Sequence, residues 1–483
     1  YFPAGAFAWR LSEEPFMNGT KDWLSNLKLR LSYGTSGSDN ISSNLWRETW
    51  SSLGSGSNHT PINGELGSFY RPDGLLANSK LKWETTISRN FGIDFGFLNN
   101  RVNGSLEVYW NTTKDLLMAV PVDNTTGYSY QFQNFGKTSN RGIELSVNVD
   151  VINKGDFRFN VGAIYNYNRN KLDELPNADQ YLYSSYWGSS SLVPTNDYMF
   201  VEGKAIGLVR GFISEGYYTV DDFNYTNGQY VLKEGVPDIT KALTATYMHP
   251  YDLPAGQTAF PGAVKFRDVD ESGTVDLDDA TCLGEVMPRH TGSFQLNFNY
   301  KNFDLSTNFN WTAGGKVYNV AAMINASGQE FDGIGAQRAS WVADAFKVYN
   351  VNAAGDLYAV TNPDELRALN ANAKYHLPYH QSGITSSEWL ENGSYLRLQT
   401  LTLGYTLPKN WLTKVHVDKI RLYLTATNLF TITGYSGIDP EVNANPTGQS
   451  GFYSDLRIFP TLNMDFGTYP RARTFTFGAN ITF

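Results

Sequence analysis

The last ten residues, Thr474-Phe475-Thr476-Phe477-Gly478-Ala479-Asn480-Ile481-Thr482-Phe483, alternate strictly between two kinds of side chain. The odd-numbered residues are apolar or small, and the even-numbered residues are polar or small. Because successive side chains of a β-strand point to opposite faces, one face of this segment meets an apolar medium and the other meets water. A strand of a soluble β-sandwich would show the same pattern, so this segment alone does not decide between the two folds.

The decisive observation is that the same alternation recurs along the chain about ten times. The recurrences fall at residues 27–33, 91–97, 102–110, 143–151, 157–165, 294–300, 303–311, 401–407 and 420–426. A tilted strand crosses the hydrocarbon layer of a membrane in roughly 9–11 residues, and these segments are of that size. The pattern therefore predicts an all-β protein, a transmembrane antiparallel β-barrel.

The connections between these segments are of two lengths. Tight turns rich in residues that tolerate positive φ fall at 99–100, 153–156 and 301–302, whereas long links fall at about 34–84, 111–140, 169–290, 313–394 and 429–470. Short turns at one rim and long loops at the other are typical of outer-membrane barrels. We therefore expect the long links to form extracellular loops.

Composition agrees with a barrel and excludes other classes. Aromatic residues make up 14% of the chain, which suits the rings of aromatic side chains at the two membrane interfaces. The single cysteine, Cys282, excludes an internal disulfide framework. The net charge of −9 speaks against a nucleic-acid partner.

With an entry strand over residues 4–11, the pattern predicts about 11 strands, an odd number. Single-chain bacterial barrels have even numbers of strands, and an open sheet would leave unpaired edges in lipid. We therefore expect residues 1–483 to be the C-terminal half of a larger barrel, with the N-terminal half and any plug domain absent from this chain.

Several segments carry a resemblance to a known family. They include Lys82-Trp83-Glu84-Thr85-Thr86, Asn140-Arg141-Gly142-Ile143-Glu144-Leu145, Asn428-Leu429-Phe430-Thr431-Ile432-Thr433 and Tyr435-Ser436-Gly437-Ile438-Asp439-Pro440-Glu441. In this order they resemble the C-terminal half of the SusC/RagA-like TonB-dependent outer-membrane transporters.

The resemblance implies a barrel of 22 strands in the outer membrane of a Gram-negative bacterium, of which about 11 are present here. It also implies a plug inside the lumen, contact with TonB through the missing N-terminal part, and a SusD-like surface lipoprotein that closes as a lid. Members of the family import oligosaccharides, and in some cases peptides, so we expect a transport protein and not an enzyme.

One motif within the predicted loop 169–290 predicts a metal site. The stretch that begins at Asp268 fits the 12-position calcium loop, with Gly273 at the turn position. The predicted ligands are Asp268, Asp270, Ser272, the carbonyl of Thr274, Asp276 and Asp279. Ser272 and Asp279 replace stronger ligands, so the alternative is an acidic surface turn. The expected cofactor is a structural Ca²⁺ ion.

Aromatic residues in the same loop are weaker candidates for binding substrate. Tyr183, Tyr186 and Trp187 lie in a stretch rich in Ser and Gly, and aromatic faces pack well on the apolar faces of sugars. The alternative, which we favour, is that these rings pack within the loop.

Two other kinds of transport protein and one enzyme fit parts of the pattern. A TonB-dependent receptor for siderophores or cobalamin would lack the lipoprotein lid, and a passive porin would have an open lumen. A soluble all-β enzyme acting on glycans is a remote alternative, since the sequence has no catalytic motif such as Gly-x-Ser-x-Gly.

Overall fold

The structure is a computed structural model, and it describes most of the chain. The described residues are 1–39, 45–48, 50–52, 61–62, 65–66, 70–72, 75–128, 130–175, 180–185, 192–244, 249–327, 339–377, 383–412, 417–442 and 462–483.

Eleven strands form one antiparallel sheet in which every strand pairs with its neighbours in chain order. The strands are β1 Ala4–Arg10, β2 Leu24–Ser38, β3 Glu84–Phe97, β4 Val102–Lys114, β5 Lys137–Lys154, β6 Phe157–Glu174, β7 His290–Tyr300, β8 Phe303–Ala313, β9 Tyr395–Thr406, β10 Lys419–Thr433 and β11 Thr474–Thr482. Strands β1 and β11 are the two edges of the sheet. The predicted number of strands is confirmed.

The register of the strands separates two faces of the sheet. Leu31 pairs with Phe91, Phe91 with Val108, and Val108 with Ile143, so these apolar side chains form one row across four strands. Phe477 lies on the same face of the sheet and is 74% exposed. The predicted apolar rows therefore lie together on one side of the sheet, which we call the apolar face, and the polar residues between them form the polar face.

The predicted asymmetry of the connections is also present. The β3–β4, β5–β6 and β7–β8 turns are short, and Asn99, Asn100 and Lys301 there adopt positive φ. The long connections run over residues 39–83, 115–136, 175–289, 314–394 and 434–473. In the sequence, Leu396 and Leu398 are out of phase with Leu401 and Leu403, which indicates a bulge, and a register shift in β9 between Leu398 and Thr400 confirms it.

The long connections contain many short strands of their own, as well as 3₁₀ segments. Their strands are Trp50–Ser52, Pro61–Ile62, Glu65–Leu66, Tyr70–Pro72, Leu75–Leu76, Leu117–Pro121, Tyr130–Asn134, Gln180–Tyr183, Tyr198–Val201, Leu208–Gly211, Ser214–Tyr217, Phe223–Thr226, Gln229–Leu232, Asp238–Ile239, Val264–Phe266, Thr274–Val275, Thr281–Glu285, Lys316–Asn319, Tyr349–Val351, Leu357–Ala359, Leu390–Asn392 and Met464–Asp465.

The helices are short, and four of them lie in the long connections. They are α1 Lys241–Thr244, α2 Val320–Ser327, α3 Ala339–Asp344, α4 Pro363–Leu369 and, between β9 and β10, α5 Lys409–Leu412. The sequence Asn362-Pro363 is typical of a helix start, and the structure confirms it, since the Asn362 side chain accepts hydrogen bonds from the N–H groups of Asp364 and Glu365. None of the described helices is long and apolar enough to cross a bilayer.

The two largest clusters of buried apolar side chains in the described chain come almost entirely from the long connections. One cluster joins residues of the 175–289 connection, such as Phe212 and Tyr218, to residues of the 314–394 connection, such as Phe346 and Leu366. A second cluster adds residues of the other connections, including Met118 and Met464. We call this packed assembly of the long connections the loop body.

Candidate transport lumen and metal-binding loop

The polar face of the sheet is the candidate transport surface, because in a closed barrel it lines the lumen. Most of its side chains are uncharged amides and hydroxyls. They include Asn103, Ser105, Asn148, Asn160, Asn297, Asn299, Ser306, Asn308, Asn310, Thr402, Thr425, Thr427 and Thr476. Thr402 and Thr425 bond to each other across β9 and β10 at 2.9 Å. This wall offers many donors and acceptors to a hydroxylated molecule.

Several charged groups of the polar face occur in compact clusters. Arg30 on β2 donates to Asp94 on β3 at 2.7 Å and to Glu107 on β4 at 2.6 Å. Gly92 stands between Arg30 and Glu107 in the register, and a Cβ there would lie only 3.0 Å from the guanidinium. The glycine therefore allows the arginine to lie flat across β3 and to reach the far strand.

A second cluster repeats this arrangement near the short turns. The Nε of Arg421 on β10 donates to Asp304 on β8 at 2.9 Å across the intervening strand β9. The strand between them carries Gly404, where a Cβ would lie 2.4 Å from a carboxylate oxygen of Asp304. Both clusters keep long charged side chains close to the wall, which leaves the lumen wider than extended side chains would.

A third cluster connects the sheet to the loop body. Arg397 on β9 is only 2% exposed, and it donates to Asp439 at 2.5 Å, to Glu441 at 3.2 Å and to Thr431 at 3.0 Å. Arg471 donates to the other oxygen of Glu441 at 2.7 Å. Burying a guanidinium is costly without carboxylate partners, so these contacts fix the 434–442 segment over β9.

Further hydrogen bonds hold the same segment to the 314–394 connection. Glu391 accepts from the N–H of Ser436 and from Asn319, each at 2.7 Å. The Tyr435 hydroxyl donates at 2.6 Å to the buried Asp465, which in turn pairs with Asn319 of the 314–394 connection in a short parallel bridge. The segment that carries the resemblance at 435–441 is therefore a junction between the barrel wall and the loop body.

Sequence reasoning identified the segment of Asp439 and Glu441 but missed Arg397. The available signal was a charged residue between two apolar ones, Leu396 and Leu398, on a strand. That signal predicts a residue on the polar face, where a water-exposed arginine is the ordinary expectation. Its burial depends on the 434–442 segment folding back over β9, which no local pattern indicates.

The predicted calcium loop brings three of its carboxylates together. Oxygen atoms of Asp268, Asp270 and Asp279 lie within 4.8 Å of one another. Asp279 is fully buried, and it accepts the N–H groups of Val269 at 2.6 Å and of Asp276 at 2.8 Å. Backbone N–H groups of the loop therefore hold Asp279, at position 12 of the motif, close to Asp268, at position 1.

The other predicted ligands have local partners in this conformation. An oxygen of Asp276 caps the Leu277–Asp279 turn by accepting the N–H of Asp278 at 2.8 Å. The Ser272 hydroxyl donates to the carbonyl of Thr274 at 3.0 Å. Hydrogen bonds from Ser272 lower the pKa of Asp270, so this carboxyl is ionised at neutral pH. Oxygen ligands and ionised carboxylates fit a hard cation.

The candidate aromatic residues are only partly within the described structure. Tyr183 is 6% exposed, and its ring stacks on Phe200 with the centroids 4.8 Å apart. It packs inside the second cluster of the loop body, as in the alternative that we favoured, and presents no open face to a sugar. Tyr186 and Trp187 lie outside the described residues.

The sheet and the polar wall define the class of this protein. A sheet of long strands with an exposed apolar face, a polar face, short turns at one rim and a loop body at the other is part of an outer-membrane β-barrel. A family model described as TonB dependent receptor-like, beta-barrel matches residues 1–429. The chain therefore belongs to this family of outer-membrane barrels, whose members are receptors and transporters and not enzymes.

Individual relatives are similar over the whole chain. The TonB-dependent receptor P3 of Formosa agariphila is 30% identical and the TonB-dependent receptor SusC of Bacteroides thetaiotaomicron is 27% identical. The chain spans 42% and 40% of the lengths of these two relatives. A solved structure of the RagAB peptide transporter has the same fold over the whole chain and 43% of its own length, with a TM-score of 0.68 and 21% identity. The resemblance to SusC and RagA is confirmed.

Proposed function

We propose that this chain is the C-terminal half of the barrel of a SusC/RagA-like transporter that imports oligosaccharides across the outer membrane. The N-terminal half of the same polypeptide would complete the barrel, carry the plug and contact TonB. A SusD-like surface lipoprotein would cover the loop body. The two free edges, β1 and β11, are the places where the remaining strands would pair.

The observation that carries the choice of cargo is the chemistry of the polar face. Uncharged amides and hydroxyls predominate, and the two prominent charged clusters on β2–β4 and β8–β10 hold their charges in ion pairs close to the wall. Such a wall suits a neutral, hydroxylated molecule, because the molecule can exchange one hydrogen-bond partner for the next as it moves along the wall. A peptide is the second candidate, favoured by the likeness to the RagAB peptide transporter.

The alternatives differ in their partners and in their conductance. A siderophore or cobalamin receptor of the same family would purify without a surface lipoprotein, and a passive porin would conduct ions steadily in a planar bilayer. We expect the full-length protein to copurify with a lipoprotein and to conduct no steady current, because a plug would fill the lumen.

The test of the cargo is uptake by cells that carry or lack the full-length gene. We expect energy-dependent uptake of fluorescently labelled oligosaccharides, lost in cells without TonB, and no uptake of labelled peptides of equal mass. Uptake of peptides alone would replace the oligosaccharide proposal with the peptide one. Uptake that persists without TonB would contradict active transport.

We further propose that the Asp268–Asp279 loop binds a structural Ca²⁺ ion. The convergence of Asp268, Asp270 and Asp279 within 4.8 Å supports this proposal. The ion would offset the repulsion among these carboxylates and stabilise a loop that packs against the Asp238–Ile239 strand through Thr274–Val275.

Limited proteolysis of the full-length protein tests the metal proposal. We expect Ca²⁺ to slow cleavage within residues 268–279, and Asp268→Ala to abolish this protection. Asp278→Asn is the matched control, since its side chain is outside the cluster and its loss should leave the protection intact. Equal cleavage with Ca²⁺ and with chelator would contradict the proposal.

A further inference from the structure

A row of cationic side chains crosses the apolar face of the sheet at the rim of the loop body. In register, Arg89 on β3 pairs with Trp110 on β4, Trp110 with Arg141 on β5, and Arg141 with Arg169 on β6. Farther toward the loop body, the same face adds Lys114, Lys137 and Lys171. These residues lie on the side of the barrel wall that faces lipid and not on the side that faces the lumen.

The row places like charges directly opposite each other. Arg141 stands opposite Arg169, and Lys114 stands opposite Lys137. Such cross-strand pairs have Cβ atoms about 4.5–5.5 Å apart, and like charges there destabilise a sheet. Lys137 and Lys171 have acidic partners at the strand ends, Glu174 at 2.8 Å and Asp173 at 3.4 Å.

The two arginines that stand opposite each other have no such partner. Among the described residues, neither Arg141 nor Arg169 forms an ion pair, and both are exposed. An anion bound between them would offset their repulsion and accept several charge-assisted hydrogen bonds. The arrangement thus favours a ligand with anionic oxygens that approaches from outside the barrel.

A groove of about 460 Å³ lies directly below the row on the same face. Its lining includes the apolar or aromatic residues Val108, Trp110, Ile143 and Tyr167, and Arg141 stands at its loop-body end. A groove of this composition suits a hydrocarbon chain, whereas the arginines above it suit an anionic group. A lipid has both parts in this order.

The height of the row on the barrel agrees with a headgroup position. From Val151 near the short turns to Arg141, a strand tilted about 40° and rising about 3.3 Å per residue climbs about 25 Å, the height of the apolar band of such barrels. Arg141 therefore lies where the hydrocarbon of the outer leaflet ends. Aromatic side chains in the same row, Tyr33 and Trp110, are typical of this interface.

We propose that Arg89, Arg141 and Arg169, with the groove beneath them, form a binding site for a phosphorylated glycolipid of the outer leaflet. The arginines bind phosphate groups of the headgroup, Lys114 adds charge above them, and one acyl chain lies in the groove between Trp110 and Tyr167. The site is independent of the transported cargo, because it lies on the opposite face of the wall from the lumen.

Native mass spectrometry of the full-length protein, delipidated in mild detergent, tests this site. Diphosphoryl lipid A should bind the parent protein, and Arg141→Gln/Arg169→Gln should weaken this binding about tenfold, as expected for the loss of charge-assisted contacts to phosphate. Arg141→Lys/Arg169→Lys, which keeps both charges, should retain most of the binding and shows that substitution at these positions is tolerated.

The matched control is Lys154→Gln, which removes a cation from the other end of the same strand, near the short turns. It should leave the binding of lipid A unchanged. Lipid A without its phosphates should bind the parent protein and the Gln variant equally weakly. Binding of dephosphorylated lipid A or of phosphatidylglycerol as strong as that of diphosphoryl lipid A would overturn the proposal, as would full binding by the Gln variant.

Discussion

The sheet and the loop body use the same kinds of residue in opposite ways. Phe477 on β11 is 74% exposed, whereas Phe212 in the loop body has no exposed surface. Both regions are built from antiparallel strands, and both are rich in aromatic side chains. The difference lies in the surrounding medium. The apolar face of the sheet contacts lipid and needs no protein core, whereas the loop body is surrounded by water and must bury its apolar side chains in its own interior.

The substitutions that destabilise the sheet therefore differ from those that destabilise the loop body. In the sheet, the apolar face tolerates exposure but not charge, except where a lipid headgroup is near. In the loop body, buried polar groups must find partners within the protein. Arg397 belongs to both regions, since its backbone is in β9 and its side chain is buried beneath the 434–442 segment.

The largest effect is expected at this junction. Arg397→Met leaves Asp439 without its buried cation and should destabilise the 434–442 segment by about 3–5 kcal/mol. The Glu441 N–H, which donates to Asp439 at 2.9 Å, should exchange with solvent correspondingly faster in hydrogen-exchange measurements on the full-length protein.

Arg471→Met is the control, because Arg471 binds the same Glu441 at an exposed position. Exposed ion pairs contribute about 1 kcal/mol or less, so this variant should change the exchange only slightly. Equal effects of the two substitutions would mean that the burial of Arg397 is not what holds the segment.

The next effect distinguishes the two faces of the sheet. Phe477→Arg puts a charge on the apolar face, midway along β11, and should cost about 2–4 kcal/mol in lipid vesicles, measured by urea unfolding of the full-length protein. Thr476→Arg, one residue earlier and on the polar face, should cost much less because its side chain reaches water. The opposite order of the two costs would reverse the assignment of the faces.

The smallest effect concerns pH and should be confined to the loop body. Burial raises the pKa of Glu388 to about 7. Between about pH 4.5 and 7 the unfolded chain loses this proton while the folded chain keeps it, so stability falls as pH rises and levels off above 7. Glu388→Gln should remove this loss, up to about 3 kcal/mol, as judged from exchange of the Ser387 N–H that bonds to Phe212.

The exchange rates of the Glu388→Gln variant and of its parent must be compared at the same pH. Burial lowers the pKa of His376 in the same loop body to about 4, and this group stabilises the fold as pH rises over a similar range. Glu234→Gln, at an exposed position of the loop body, is the control and should keep the pH dependence of the parent. If Glu388→Gln also keeps the pH dependence of the parent, Glu388 is not the group that lowers stability as the pH rises.

Much of the sheet was predictable from sequence because its signals are local. Alternation identifies the strands, turn residues such as Asn99-Asn100 identify the short connections, and the capping pattern at Asn362-Pro363 identifies the start of α4. The bulge at Gln399 follows from a change of phase within one strand. Each of these features depends on residues close together in the chain.

The candidate sites were less predictable because they depend on contacts between distant segments. The spacing of the calcium motif predicted that Asp268, Asp270 and Asp279 converge, since one turn holds all three. No spacing predicts that Tyr183 packs on Phe200, or that Arg397 is covered by residues some forty positions later. The cationic row became visible only from the register of β3 to β6.

The sequence by itself determined the strands, the assignment of each side chain to one of two faces, and the unequal lengths of the connections. These follow from the period of two of an extended chain and from the residues that turns require. Only the tertiary structure decided which strands align, which loop residues become a core, and which charges meet. The physical reason is that strand register and loop packing are set by the sum of many contacts between segments far apart in the chain.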